Sequence, residues 1–284
     1  MEEFRDIAAL RAWRAERRRA GDRVGLVPTM GALHEGHLAL VDEARRQAAA
    51  VVMSIFVNPL QFGPGEDYSR YPRDLDRDRT LAAGRGVVAL FTPGVEVIYP
   101  PGSETRVVPG ATADRWEGAV RPGHFAGVLT VVAKLFHLVE PDVAVFGQKD
   151  IQQATLIRRM IRDLDFHVEF ISTPTVRESD GLALSSRNAY LDDSQRQQAR
   201  ALNLALRAAD AAWHSGIEDS ALIDRLLRQQ FLLFPAVTID YIAIVDPENL
   251  APVEHIDRGT IIAVAGRIGS TRLLDNHILG TEFR

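Results

Sequence analysis

Apolar residues in this chain fall into two spacings that take turns. Ile7, Leu10 and Trp13 lie to one side of an arginine-rich stretch, which predicts an amphipathic helix from Ile7 to Ala20, ended by Gly21-Asp22. A short apolar strand at Val24 to Val27 follows. After Pro28-Thr29-Met30-Gly31 a helical pattern begins near His37 and runs through Leu38, Leu40, Val41 and Ala44. Val51 to Val57 is an unbroken apolar run rich in β-branched residues, the pattern of a strand covered on both faces. The alternation continues with a helix at Asp74 to Ala83, a strand at Val87 to Phe91 and a largely buried helix at His124 to Val139. A strand at Val143 to Phe146, a helix at Asp150 to Ile161 and a strand at His167 to Ile171 complete it.

Strands that alternate with helices need right-handed crossovers, and so predict a Rossmann-like, doubly wound parallel sheet of the α/β class. Beyond Thr173-Pro174 the order changes to helices at Ser194 to Trp213 and Asp219 to Phe231, then strands at Thr238 to Val245, Thr260 to Arg267 and Thr271 to Asp275. That order predicts a smaller α+β domain over residues 176–284, after the Rossmann-like domain over residues 1–175.

Composition narrows the chemistry. The formal net charge of −5 argues against a polyanion-binding surface, so no nucleic-acid partner is expected. There are no cysteines, which excludes disulfides and thiolate metal sites. The first residues lack the order of a secretory signal, and no apolar run approaches the ~20 residues that span a bilayer, so the expected location is the cytoplasm with no membrane partner. Of 33 basic residues only Lys134 and Lys149 are lysines. Lys134 lies within an apolar helix, where snorkelling explains it.

Four segments combine polar chemistry with a place at a strand end. The first runs from Pro28 to His37 and contains Met30, Gly31, Ala32, Leu33, His34, Glu35, Gly36 and His37. Ligands of open α/β sheets bind at the carboxyl ends of strands, where a helix start offers backbone N–H groups to phosphate. Here Gly31 and Gly36 are expected to let a nucleotide approach the backbone. Taken alone, His-x-x-His is more often a pair of surface or capped histidines, and a zinc site would want other spacing and a further ligand. The second segment, Asn58-Pro59-Leu60-Gln61, follows the buried strand with two amides suited to hydroxyls and a carboxylate. Alone it reads as a turn.

The third segment is Gly147-Gln148-Lys149-Asp150, followed by Gln152-Gln153. Lys149 stands where phosphates would lie, and Asp150 is read first as the cap of the next helix, with a partner for ribose or metal as the other reading. The fourth, Leu184-Ser185-Ser186-Arg187, offers two hydroxyls and a guanidinium fork to a triphosphate. Asp74, Asp76 and Asp78 are read mainly as an acidic bias at a helix start, with magnesium ligation the other reading.

His34-Glu35-Gly36-His37 resembles the His-x-Gly-His motif of the nucleotidylyltransferase superfamily, and the four segments in order resemble the pantothenate synthetase family over residues 28–188. Position 60 usually carries Met in that family, and many members have an aromatic residue where this chain has Ile151. The resemblance implies an ATP-dependent ligase that joins pantoate and β-alanine through a pantoyl-adenylate, with Mg²⁺ and as a homodimer. It implies an ATP site made of residues 30–37, Gly147, Gln148, Lys149, Asp150, Val176, Leu184, Ser185, Ser186 and Arg187. His37 would take the proton-donor role, with His34 and Lys149 also at the phosphates, while Gln61, Gln153 and Asn58 would hold the acid and the amine. Residues 121–125 resemble part of a loop that closes over the site. Two other functions remain open: another nucleotidyltransferase of the superfamily, and a non-catalytic nucleotide sensor.

Overall fold

The computed structural model describes residues 1–283. In chain order the first part contains β1 (Glu2–Phe4), α1 (Ile7–Ala20), β2 (Val24–Thr29), α2 (Glu35–Gln47), β3 (Ala50–Ile55), α3 (Leu75–Gly84), β4 (Ala89–Phe91), the one-turn helices α4 (Val95–Ile98) and α5 (Glu117–Val120), α6 (His124–Val139), β5 (Val143–Gly147), α7 (Ile151–Asp163) and β6 (Glu169–Thr173). Its six strands pair in parallel in the order β1-β4-β3-β2-β5-β6. The order reverses between β2 and β5, so a crevice opens at their carboxyl ends.

Alternating side chains explain why the sheet is covered on both sides. Leu26, Val52, Ala144 and Phe146 face a core shared with α1, α6 and α7, whereas Val27, Val51, Met53, Val143 and Val145 face the core built with α2. At α2, Leu40, Val41 and Ala44 supply the apolar stripe and His34 the cap.

The second part carries α8 (Asp193–Ala199), α9 (Ala201–His214), α10 (Ser220–Leu232), β7 (Val237–Val245), β8 (Ile261–Ile268) and β9 (Thr271–Ile278). The three strands form an antiparallel sheet, in the order β7-β8-β9. One face packs on the helices through Ile242, Ile244, Ile262 and Val264 against Leu202, Leu206, Ile223 and Leu227. The opposite face turns Ala243, Val245, Ile261 and Ala263 toward Trp116 and Ile151 of the first part.

Several details depart from the sequence reading: the strand expected from Val87 begins at Ala89, and the one expected to reach Val57 ends at Ile55. β1 leaves no signal in the apolar pattern, because it is a three-residue edge strand with Phe4 as its one buried side chain. The helix expected from Ser194 to Trp213 is interrupted at Arg200, where ψ tightens to −18°. The strand expected from His167 begins at Glu169.

Candidate functional site

The crevice between β2 and β5 is a cleft of about 230 Å³ that residues 174–176 and 184–187 also line. It gathers residues from all four sequence segments: Met30, His34, Gly36 and His37; Asn58 and Gln61; Gly147, Lys149, Asp150 and Gln153; Val176, Leu184, Ser185, Ser186 and Arg187. Gly31, Ala32, Leu33, Glu35 and Gln148 do not line it. Leu33 is buried in the core, Glu35 pairs with Arg85 at the surface, and Gln148 donates to Asn276 at 3.2 Å.

His34 is the N-cap of α2. Its Nδ1 accepts the Gly36 N–H at 3.1 Å, and the His37 Nδ1 accepts the His34 N–H at 3.4 Å. The two rings stack with centroids 4.1 Å apart. Because both Nδ1 atoms accept, each neutral ring carries its proton on Nε2. Burial, followed by the Lys149 charge, lowers the His34 pKa to about 4. Burial, then His34 and Lys149, lowers that of His37 to about 3. Near neutral pH both are uncharged N–H donors.

The turn before them differs from a phosphate-binding loop with open amides. Gly31 N–H donates to Thr29 Oγ1 at 3.2 Å, and the Ala32 and Leu33 amides donate to the two oxygens of Asp78 at 2.9 and 2.8 Å. The N–H groups of Gly31, Ala32 and Leu33 are therefore already taken. The glycines also serve packing. A Cβ on Gly31, at φ +82°, would meet Asp78 Oδ2 at 2.8 Å, and one on Gly36 would meet the His34 ring at 2.8 Å. Ala32 sits at φ +51°, a left-handed conformation that costs about 1–2 kcal/mol without a glycine.

Neither remaining acidic side chain of α3 reaches the cleft. Asp74 caps the helix by accepting Arg77 N–H at 3.1 Å, and Asp76 pairs with Arg79. The helix-start reading thus holds, with Asp74 as the cap and Asp76 and Asp78 in the first turn, and Asp78 is in addition a buried acceptor for the Ala32 and Leu33 amides.

Across the cleft, Asn58 is 1% exposed and fully engaged. Its Oδ1 accepts from Leu60 N–H and Tyr99 Oη–H, and its Nδ2 donates to Gly127 O and to Gln61 Oε1, both at 3.1 Å. Asn58 therefore orients Gln61. The Gln61 carbonyl is gripped in turn by His124 Nδ1 at 2.8 Å and Arg121 Nη2 at 3.2 Å. Arg121 also pairs bidentately with Glu66 at 2.7 and 2.6 Å. Burial, then Arg121, lowers His124 to about pKa 4. Sequence reading placed residues 121–125 over the site without this fastening, which a separation of 60 residues along the chain conceals.

Lys149 lies on the turn between β5 and α7, with its Nζ 4.0 Å from Asp150 Oδ1. The second part holds that turn: Asn276 Nδ2 donates to the carbonyls of Gln148 and Lys149 at 3.0 and 2.8 Å. Asp150 occupies the cap position of α7, but its side chain makes no capping bond and half of it stays exposed at the cleft, so the capping expectation fails. Gln153 lines the cleft, whereas Gln152 faces away, bonded to Thr112 O, Arg115 O and Glu117 N–H.

Leu184 N–H donates to Val176 O at 2.9 Å, which sets those two residues side by side on the outer wall. Ser185 caps the following turn, and Arg187 forks onto Asp67 at 3.0 and 2.9 Å. Burial alone would raise the Asp67 carboxyl, and the Arg187 bonds and charge outweigh it, leaving the pKa lowered. Two hydroxyls on the cleft wall, Ser54 Oγ and Thr175 Oγ1, are buried without a partner. Such groups await a ligand or water.

The family model for pantoate-beta-alanine ligase matches residues 2–278. The chain belongs to the pantoate–β-alanine ligase family. It is 52% identical over 279 residues to the pantothenate synthetase of Moorella thermoacetica, covering 98% of this chain and 99% of the relative. The crystal structure of pantothenate synthetase from Thermus thermophilus superposes with a TM-score of 0.93 at 52% identity, over 98% of this chain and 99% of the other. A pantoate-beta-alanine ligase from Francisella tularensis, solved in complex with beta-gamma ATP and beta-alanine, gives a TM-score of 0.81 at 33% identity, with full coverage of both chains. The family match thus spans the parallel sheet and the antiparallel one alike.

Proposed function

We propose that this chain condenses pantoate with β-alanine through a pantoyl-adenylate, releasing AMP and pyrophosphate from ATP. The observation that supports the reading is one cleft that gathers His34, His37, Lys149 and the Ser185–Arg187 turn together with Gln61 and Gln153. We assign the first set to the phosphates and the two glutamines to the acid.

A carboxylate does not react with an amine near neutral pH, because oxide is a poor leaving group. In the first half-reaction a pantoate carboxylate oxygen attacks the α-phosphorus, and the bond from that phosphorus to pyrophosphate breaks. His34 and His37 donate hydrogen bonds from Nε2–H to the oxygens on which charge builds, the form that the donor role of His37 takes in a neutral ring, and Lys149 follows the departing group. Each well-placed donor contributes ~10²- to 10³-fold. Gln61, fixed by Asn58, His124 and Arg121, holds pantoate with Gln153. In the second half the neutral β-alanine nitrogen attacks the acyl carbon, the carbon–oxygen bond to AMP breaks, and the nitrogen releases its proton. Residues 176–284, as a lid, keep water from the adenylate. In this reading the nucleotide lies along Met30, His34, Gly36 and His37 and along Gly147, Lys149 and Asp150, beside Val176, Leu184, Ser185, Ser186 and Arg187.

Mg²⁺ accompanies the triphosphate in this reading. The described residues contain no group of three His, Cys, Asp or Glu side chains placed to hold an ion, and Asp150 is the one carboxylate among them on the cleft wall. That donor set fits a cation brought in on phosphate oxygens, with Asp150 available as one protein ligand. When bound it neutralises charge on the phosphates.

We place the reaction in the cytoplasm, where ATP is supplied, and expect a homodimer. No helix among the described residues is long and apolar enough to cross a membrane. Pantoate-dependent exchange of pyrophosphate into ATP tests the phosphate-side assignment. The expected result is exchange by the native protein and none by a folded Lys149→Ala variant. Undiminished exchange in that variant would overturn the role of Lys149, and AMP release that needs no pantoate would overturn the ligase reading.

A further inference from the structure

Asp78 is 1% exposed, lies outside the cleft and belongs to a helix that contributes nothing else to the turn's amides. Its two carboxylate oxygens accept the adjacent amides of Ala32 and Leu33, 46 and 45 residues away in the chain. The neighbouring Arg77 donates to the Leu33 carbonyl at 3.0 Å, so α3 grips both polarities of the same peptide segment. That segment holds a non-glycine residue at positive φ, Ala32, between Gly31 and the cap of α2. A left-handed alanine persists only where its surroundings over-determine it. The carboxylate pair to two adjacent N–H groups is the interaction that does so.

We infer that Asp78 is a positioning residue for the nucleotide. It fixes the Gly31–Leu33 turn from below, and through it the main chain of Met30 on one side and the stacked His34–His37 cap on the other. By taking the Ala32 and Leu33 amides it also assigns phosphate recognition to side chains. The triphosphate then meets the imidazole Nε2–H groups and Lys149, groups that can adjust as charge moves to pyrophosphate, while the turn's amides stay fixed. This inference rests on the ligase reading above for the identity of the nucleotide.

Asp78→Asn is the test, since it keeps size and one acceptor but sets an NH₂ group against an amide N–H. The expected result is an ATP KM raised tenfold or more with a pantoate KM within twofold of native, because Asn58 orients Gln61 and Gln153 stands on α7. A second substitution, Ala32→Gly, removes the cost of positive φ and should recover at least threefold of the lost ATP affinity in the Asp78→Asn background. A global loss of stability would not be repaired at that one position. An unchanged ATP KM overturns the inference, and so do parallel rises in both KM values that Ala32→Gly does not relieve. A native protein without pantoate-dependent pyrophosphate exchange would instead refute the ligase reading. In that case direct calorimetric binding of ATP to the native and Asp78→Asn proteins still tests the positioning role, with tenfold weaker binding expected and equal binding contradicting it.

Discussion

His34 and His37 stack 4.1 Å apart and each accepts a backbone N–H through Nδ1, so the cap of one helix dictates which nitrogen of each ring donates toward the cleft. Structure and chemistry can be separated at His34. Asparagine is among the best N-cap residues, so His34→Asn should hold the melting temperature close to native while removing the Nε2 donor. Pantoate-dependent pyrophosphate exchange should fall ~10²-fold. Exchange at the native rate, with the cap retained, would show that His34 serves the helix alone.

Acid should weaken the fold through the same pair. Both imidazoles are held below their ordinary pKa of 6.5 by burial first and then by the neighbouring charges, at about 4 for His34 and about 3 for His37. The unfolded chain therefore binds more protons than the native state between the two sets of values. The stabilisation is fully present above the unfolded value near 6.5 and is lost as pH falls toward the folded values. Melting curves from about pH 7 down to about pH 5 should show a steady decline, shallower in His34→Asn. Equal slopes in the two proteins would contradict the assignment.

The acid side depends on a close approach of backbones. A Cβ on Gly127 would fall 2.2 Å from the Leu60 carbonyl oxygen and 2.7 Å from the Gln61 nitrogen. Gly127→Ala must push the Pro59–Gln61 turn away from α6 or unseat the helix. The expected cost is about 1–3 kcal/mol of stability, together with a pantoate KM raised several-fold and a smaller change in the ATP KM. Steady-state kinetics in each substrate check this. An ATP KM that rises more than the pantoate KM would place Gln61 wrongly.

The parallel sheet was legible because its strands are continuous apolar runs and their helices carry period-matched stripes, as at Val51 to Val57 and at Leu40, Val41 and Ala44. The cleft residues were legible where a motif stands at a strand end. What the sequence concealed was the set of fastenings made across long separations. Asp78 on the Ala32 and Leu33 amides, His124 and Arg121 on the Gln61 carbonyl, and Asn276 on the Lys149 carbonyl leave no local pattern. Asn58 illustrates the limit well: its residue type suits a substrate, yet both of its side-chain polar atoms are bonded within the protein, to Gln61, Gly127, Leu60 and Tyr99. Asp150 shows the reverse, a side chain at a helix start that is left open to the cleft.

The most direct measurement of the central claim follows one oxygen atom. Pantoate labelled with heavy oxygen in its carboxylate is incubated with ATP, Mg²⁺, β-alanine and the protein, and the products are weighed by mass spectrometry. Attack of the carboxylate on the α-phosphorus, followed by cleavage of the acyl carbon–oxygen bond, transfers one labelled oxygen to AMP. The account predicts labelled AMP, unlabelled pyrophosphate and pantothenate retaining one label in its new amide. Label in inorganic phosphate with ADP as co-product would mean an acyl-phosphate route and would contradict it.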